Sequence, residues 1–228
     1  MPNFNIVKKN TVDKTSFRVQ SIIGMFDLPN EHLQETFTGA INIDDTDWNV
    51  GIIYGASGSG KSTIAKELFG ENIFMDDKHE GLAVIDEMPK NKSVKDITKA
   101  FCACGFSSPP SWLKPYHVLS NGEKMRVDLA KTILSEKDLV VFDEFTSVVN
   151  REVAKVGSFA IQKVVRRAGK KFIAVSCHDD VIDWLEPDWT LCTDNMKFEW
   201  CKKKDQKSSV PYRNAAKIYG KCLGNITI

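Results

Sequence analysis

Asn49-Val50-Gly51-Ile52-Ile53-Tyr54 runs into Gly55-Ala56-Ser57-Gly58-Ser59-Gly60-Lys61-Ser62-Thr63, and this stretch decides how the chain is read. Its first half is a short apolar run of the kind that forms a strand buried on both faces. Its second half fits the phosphate-binding pattern G-x-x-x-x-G-K-[ST], and Ser62 to Phe69 reads as a helix closed by Gly70. The glycines allow backbone N–H groups to turn inward around phosphate oxygens, and the helix N-terminus adds favourable potential for an anion. Lys61 is expected to reach the β- and γ-phosphates of a nucleotide, and Ser62 to ligate Mg2+. Gly55, Ser57, Gly58, Ser59, Gly60 and Thr63 complete the expected nucleotide cradle.

Working outward, Leu139-Val140-Val141-Phe142-Asp143-Glu144 is an apolar strand ending in two acids. Asp143 is placed to complete the magnesium site opposite Ser62, and Glu144 to polarise an attacking water as general base. Leu82-Ala83-Val84-Ile85-Asp86-Glu87 repeats the pattern, so the residues alone leave open which pair faces the phosphates. Ser93 to Cys104, Glu123 to Leu134 and Arg151 to Arg167 read as amphipathic helices, and Lys171 to Ser176 as another buried strand. Strands alternating with helices predict an α/β fold, a mostly parallel sheet flanked by helices. The first 45 or so residues read as strands, through Phe17, Val19, Ile22 and Ile23 and then Phe37, Ala40, Ile41 and Ile43, around a Pro29-Asn30 turn.

The chain has 228 residues, 42% hydrophobic and 27% charged, with a formal net charge of +1, which excludes a disordered chain and names no partner. No apolar run reaches the roughly 18 residues of a membrane helix, and no signal-type segment opens the chain, so a cytoplasmic protein without membrane insertion is expected. The six cysteines contain no Cys-x-x-Cys pair and read as reduced structural thiols. Residues 201–228 form a basic tail. Lys202, Lys203, Lys204, Lys207, Arg213, Lys217 and Lys221 stand there against Asp205, suggesting a contact surface for nucleic acid or protein.

Leu119-Ser120-Asn121-Gly122-Glu123 resembles the L-S-G-G-Q signature of ABC-type ATPases, standing before a helix and about 20 residues before Asp143 as in that family. Asp143-Glu144-Phe145-Thr146-Ser147 resembles the family's D-E-P-T-S, and His178 follows a strand where the family keeps its switch histidine. The four motifs span roughly residues 49 to 180. The resemblance selects the Asp143-Glu144 pair and implies a P-loop NTPase of ABC type over residues 1–200, with a reduced helical subdomain over about 88–122. It implies ATP with Mg2+, and a head-to-tail homodimer formed on ATP. In that dimer Ser120, Asn121 and Gly122 of one copy cap the γ-phosphate held by the other, and His178 contacts it.

Some residues depart from the pattern. Asn121 replaces a glycine and is expected to tolerate positive φ; Glu123 replaces glutamine, and Asn150 replaces an aspartate. The family's Q-loop glutamine is not recognisable, leaving Asp86 or Glu87 as positional candidates. Phe26 is the expected aromatic for stacking adenine, with Phe17 and Phe37 as alternatives. Ile22 to Pro29, Gly105 to Asn121 and Phe145 to Asn150 resemble the ATPase half of a prokaryotic and phage family in which an ABC-type ATPase is fused to a predicted acetyltransferase domain, a half expected to be missing here. The expected function is therefore ATP hydrolysis by a soluble ABC-type ATPase. The ATP-binding subunit of an ABC transporter is the alternative, and a small-molecule kinase a third reading that leaves the signature unexplained.

Overall fold

The computed structural model describes residues 3–9, 15–27, 34–44, 46–74 and 79–201. The basic tail beyond Cys201 and the Pro29-Asn30 turn lie outside the described residues. Two strands, β1 (Asn3–Lys9) and β2 (Gln34–Ala40), pair antiparallel, with α1 (Phe17–Phe26) between them in sequence. The main sheet begins with β3 (Val50–Tyr54), followed by α2 (Lys61–Phe69), α3 (Val94–Ala103), α4 (Pro109–Trp112) and α5 (Asn121–Leu134). Then come β4 (Leu139–Phe142), α6 (Arg151–Ala168), β5 (Lys171–Ser176), α7 (Val181–Leu185), β6 (Trp189–Cys192) and β7 (Lys197–Trp200).

The strand order is β4-β5-β3-β6-β7, with β7 alone antiparallel. Successive side chains of a strand point to opposite faces, and both faces are buried here. On one face Val50, Ile52, Phe172 and Ala174 pack with Phe101, Leu129, Ile161 and Leu185 of α3, α5, α6 and α7. On the other, Ile53, Ile173 and Val175 pack with Ile64 and Phe69 of α2 and with Phe4 and Phe37 of the β1–β2 pair. This is the predicted α/β architecture. Among the described residues, no helix is long and apolar enough to cross a membrane.

Two sequence expectations give way. Residues 17–26 form a helix rather than a strand: Val19, Ile22, Ile23 and Phe26 recur at the three- and four-residue spacing of a helix. Leu82–Ile85 forms turns, with a single antiparallel bridge between Ala83 and Pro115. Its N–H groups are taken by the segment before the signature, Val84 N–H bonding Lys114 O at 2.9 Å and Ile85 N–H bonding Trp112 O at 3.1 Å. Gly81 precedes it at φ 79°, a turn conformation that ends an extended run. The outer side of β4 is met instead at Ile73, in a parallel bridge to Val141.

The start of β3 hangs on one carboxylate. Asp188 Oδ2 accepts the N–H groups of Asn49 and Val50 at 2.9 and 3.0 Å, and Arg166 binds both carboxylate oxygens at 2.9 Å. Asp188→Ala leaves buried N–H groups and a guanidinium without their acceptor. It is expected to cost about 2–4 kcal/mol in urea unfolding. A loss below about 0.5 kcal/mol would show that water replaces the carboxylate.

Candidate functional site

The phosphate loop emerges from the carboxyl end of β3 and is pinned from β6. Asp194 Oδ1 accepts the Ala56 N–H at 2.9 Å, and the Ser59 and Thr193 hydroxyls lie 2.5 Å apart. Two glycines are required sterically. A Cβ on Gly55 would stand 2.3 Å from Thr193 Oγ1. One on Gly60, at φ 86°, would stand 2.4 Å from the Phe37 ring. Ser57 and Gly58 are exposed at the loop's crest, and Thr63 is half-buried on α2. Lys61 is buried and folds back, its ammonium donating to the carbonyls of Gly55 and Ala56 at 3.0 and 2.6 Å. Phosphate oxygens entering the loop would offer that ammonium a charge-assisted alternative.

The Ser62 hydroxyl donates to Asp143 Oδ1 at 2.9 Å. Of the two Asp-Glu pairs, this one lies against the phosphate loop. Asp86 is exposed in the turns, and Glu87 pairs instead with His79, whose ring stacks on Tyr116 at 3.6 Å. Neither Asp86 nor Glu87 stands at the carboxyl edge of the sheet, because Leu82–Ile85 never joins it. Ser62 and Asp143 are a hydroxyl and a carboxylate in contact, the hard oxygen donors that suit Mg2+.

The loop after β4 is strained. Glu144 at φ 53° and buried Thr146 at φ 68° occupy the left-handed region, uncommon for any residue with a Cβ and more so for a β-branched one. Glu144 is exposed, and its Oε2 accepts from the Ser147 hydroxyl at 2.6 Å. Phe145 N–H donates to Val175 O at 2.8 Å, tying this loop to the end of β5. Two residues further on, His178 is half-buried, its N–H donating to the Ser176 hydroxyl at 3.1 Å. Arg151, opening α6, holds Asp180 bidentately and lies 5.0 Å over the Trp184 ring, a second tie between the two loops.

The signature starts α5. Ser120 is its N-cap and is exposed; Asn121 is its first residue and has no positive φ, so glycine-like freedom is not needed there. Gly122 follows, half-buried. Ser120 bonds Glu123 in a capping box rather than the phosphate loop of its own chain. Phe26 lies exposed on α1, as does Phe17, whereas Phe37 is buried against Gly60 and supports the loop from behind. Sequence reasoning missed Thr193, Asp194 and Arg151, which have no motif of their own and act across long sequence separations.

No protein-family profile matches the chain. It is similar to the Energy-coupling factor transporter ATP-binding protein EcfA of Aster yellows witches'-broom phytoplasma (strain AYWB), at 26% identity over 180 residues, 61% of this chain. The chain spans 63% of that protein's length. Among solved structures, it resembles the dimeric, post-hydrolysis state of the ATP-binding cassette MJ0796 bound to ADP and Pi. The TM-score is 0.58 at 14% identity, over 75% of this chain and 94% of that one. It also resembles cbiO1 from Clostridium perfringens, part of the ABC transporter complex cbiONQ, with a TM-score of 0.53 at 19% identity, over 67% and 76% of the two chains. The α/β fold is thus that of ABC ATP-binding cassettes.

Lys61→Ala removes the cation of the loop. Calorimetry should find nucleotide affinity reduced at least about 100-fold, the loss of a charge-assisted phosphate contact. Affinity equal to the unaltered protein would remove Lys61 from the site.

Proposed function

We propose that this chain, with the fold of ABC ATP-binding cassettes, binds ATP with magnesium and hydrolyses it between two copies of itself. The observation that carries this reading is the 2.9 Å contact of Ser62 with Asp143 beside a complete phosphate loop. In the proposed complex the N–H groups of Ser57 to Ser62 surround the phosphates, and Lys61 moves from the Gly55 and Ala56 carbonyls to the β- and γ-phosphates. Ser62 and Asp143 would hold Mg2+, which when bound supplies positive charge against the phosphate oxygens. Glu144 accepts a proton from the attacking water, with Ser147 orienting its carboxylate. His178 holds the γ-phosphate. Ser120, Asn121 and Gly122 of the second copy close the site, with each copy contributing one loop and one signature across a two-fold axis. The dimeric structures of the similar cassette MJ0796 support this assembly. Phe26, exposed on α1, remains the proposed adenine contact.

Two tasks are compatible with this chemistry. The relatives favour the ATP-binding subunit of a transporter, since EcfA is named for one and cbiO1 is part of one. The free-standing ATPase expected from the sequence is the second reading. One observation favours it: between residues 79 and 120 the chain builds only α3 and the four-residue α4 as α-helix. The resemblance to the acetyltransferase-fused family points the same way. In either task ATP hydrolysis belongs on the cytoplasmic side, and the basic tail remains a proposed contact for a macromolecule.

Glu144→Gln should retain ATP and lose at least about 100-fold in turnover, while Glu87→Gln loses less than about threefold. In sedimentation the Glu144→Gln form should pair with ATP and remain single with ADP. Affinity capture of that form with ATP then separates the tasks: an integral membrane protein retained with it supports the transporter subunit, and a soluble partner or nucleic acid supports the free-standing ATPase. Turnover linear in enzyme concentration by a chain that stays single would overturn the paired mechanism and leave the phosphate loop intact.

A further inference from the structure

Glu123 of the signature is held by two serines, Ser120 and Ser111. Its Oε2 accepts both the backbone N–H of Ser120 at 3.0 Å and the Ser120 hydroxyl at 2.8 Å, while the Glu123 N–H donates to Ser120 Oγ at 3.4 Å. Its Oε1 accepts from the hydroxyl of Ser111, a residue of α4 that is 5% exposed. These donors, with the Ser120 backbone N–H first, hold the Glu123 carboxyl below the usual carboxylate range, although partial burial opposes them. At neutral pH the group is therefore a carboxylate, and it accepts the hydroxyl proton of Ser120.

A serine hydroxyl has one proton to give. In the single subunit that proton goes to Glu123, so the exposed Ser120 presents only lone pairs outward. A phosphate oxygen also presents only lone pairs. It can bind Ser120 only after the hydroxyl has left Glu123. It would then lie about two hydrogen-bond lengths, roughly 5 Å, from a negative charge.

We propose that Glu123 is a positioning residue that gates pairing. It keeps the Ser120 proton while the subunit is single and yields it to the γ-phosphate of the nucleotide held by a second copy. The proposal rests on the paired reading given above and adds the group that sets the strength of pairing. A neutral amide at the same position would still close the capping box, since Gln accepts the Ser120 N–H as Glu does. It would hold the hydroxyl less strongly, because hydrogen bonds to an ionised acceptor are about twice as strong as neutral ones. It would also remove the repulsion of the phosphate. That repulsion is the component that dissolved salt screens.

The test compares Glu123→Gln with the native Glu123, both in the Glu144→Gln background, by sedimentation with ATP at about 50 mM and about 500 mM salt. The Gln form is expected to pair on the order of tenfold more tightly at low salt, and the advantage is expected to narrow at high salt. ATP affinity of the single subunit should stay unchanged and the thermal midpoint should fall slightly with the weaker cap, so that tighter pairing by the Gln form cannot come from a firmer subunit. Equal or weaker pairing by the Gln form at low salt, with ATP-driven pairing intact in both, overturns the gate alone. If neither form pairs with ATP, the paired reading falls and the gate falls with it.

Discussion

The hydrogen bond from Ser62 to Asp143 joins two elements that are not neighbours in the sheet. β3, which feeds the phosphate loop, and β4, which ends in Asp143, are separated by β5. The contact can form only because all three strands are parallel and end at one edge, so that the start of α2 overhangs the gap. Ligand sites of open parallel sheets lie at that edge for this reason. The loop cannot drift away from Asp143, because Thr193 and Asp194 hold it from the β6 side. The oxygen pair is therefore set by sheet topology before any metal or phosphate arrives, and the local sequence of the loop decides only whether phosphates fit inside it.

The same edge explains why the groups expected to act on the attacking water sit on loops rather than strands. Glu144 and His178 follow β4 and β5, which are adjacent in the sheet. The Phe145–Val175 hydrogen bond and the Arg151–Asp180 pair connect those loops at two points. The left-handed backbone at Glu144 and Thr146 is tolerated because Phe145 between them is fully buried and bonded to β5. These two ties join the loop that carries Glu144, the proposed general base, to the loop that carries His178, the proposed phosphate contact.

Much of this was legible in the sequence because the central strands are buried on both faces. Asn49 to Tyr54, Leu139 to Phe142 and Lys171 to Ser176 read as continuous runs; the last two form β4 and β5 at those limits, and β3 starts one residue later, at Val50. The phosphate loop carries its chemistry in adjacent residues and was equally plain. The failures have physical causes. Val19, Ile22, Ile23 and Phe26 carry helical spacing, but α1 buries none of its residues, so hydrophobicity was a poor guide there. Leu82 to Ile85 has strand-like composition, yet four apolar residues cannot announce whether a sheet edge will accept them. β6 and β7 have four residues each, too few for periodicity to register. The pinning of Ala56 by Asp194 spans 138 residues and is a property of the fold alone.

The three departures from the signature and the loop after β4 have a common physical form. Glu123 stands where the family pattern has glutamine, and either residue closes a capping box with Ser120. Asn150 stands where the pattern has aspartate, and its Oδ1 caps α6 by accepting the Val153 N–H at 2.9 Å, as an aspartate would. Asn121 stands where the pattern has glycine, and it opens α5 in a helical conformation that asks nothing of glycine. In each case the starts of α5 and α6 keep their hydrogen bonds while the surface presented outward changes in charge or shape. Substitution at these positions therefore leaves the subunit's fold intact and acts on what the helix ends meet. In a site completed by a second copy, that is the affinity and selectivity of the encounter.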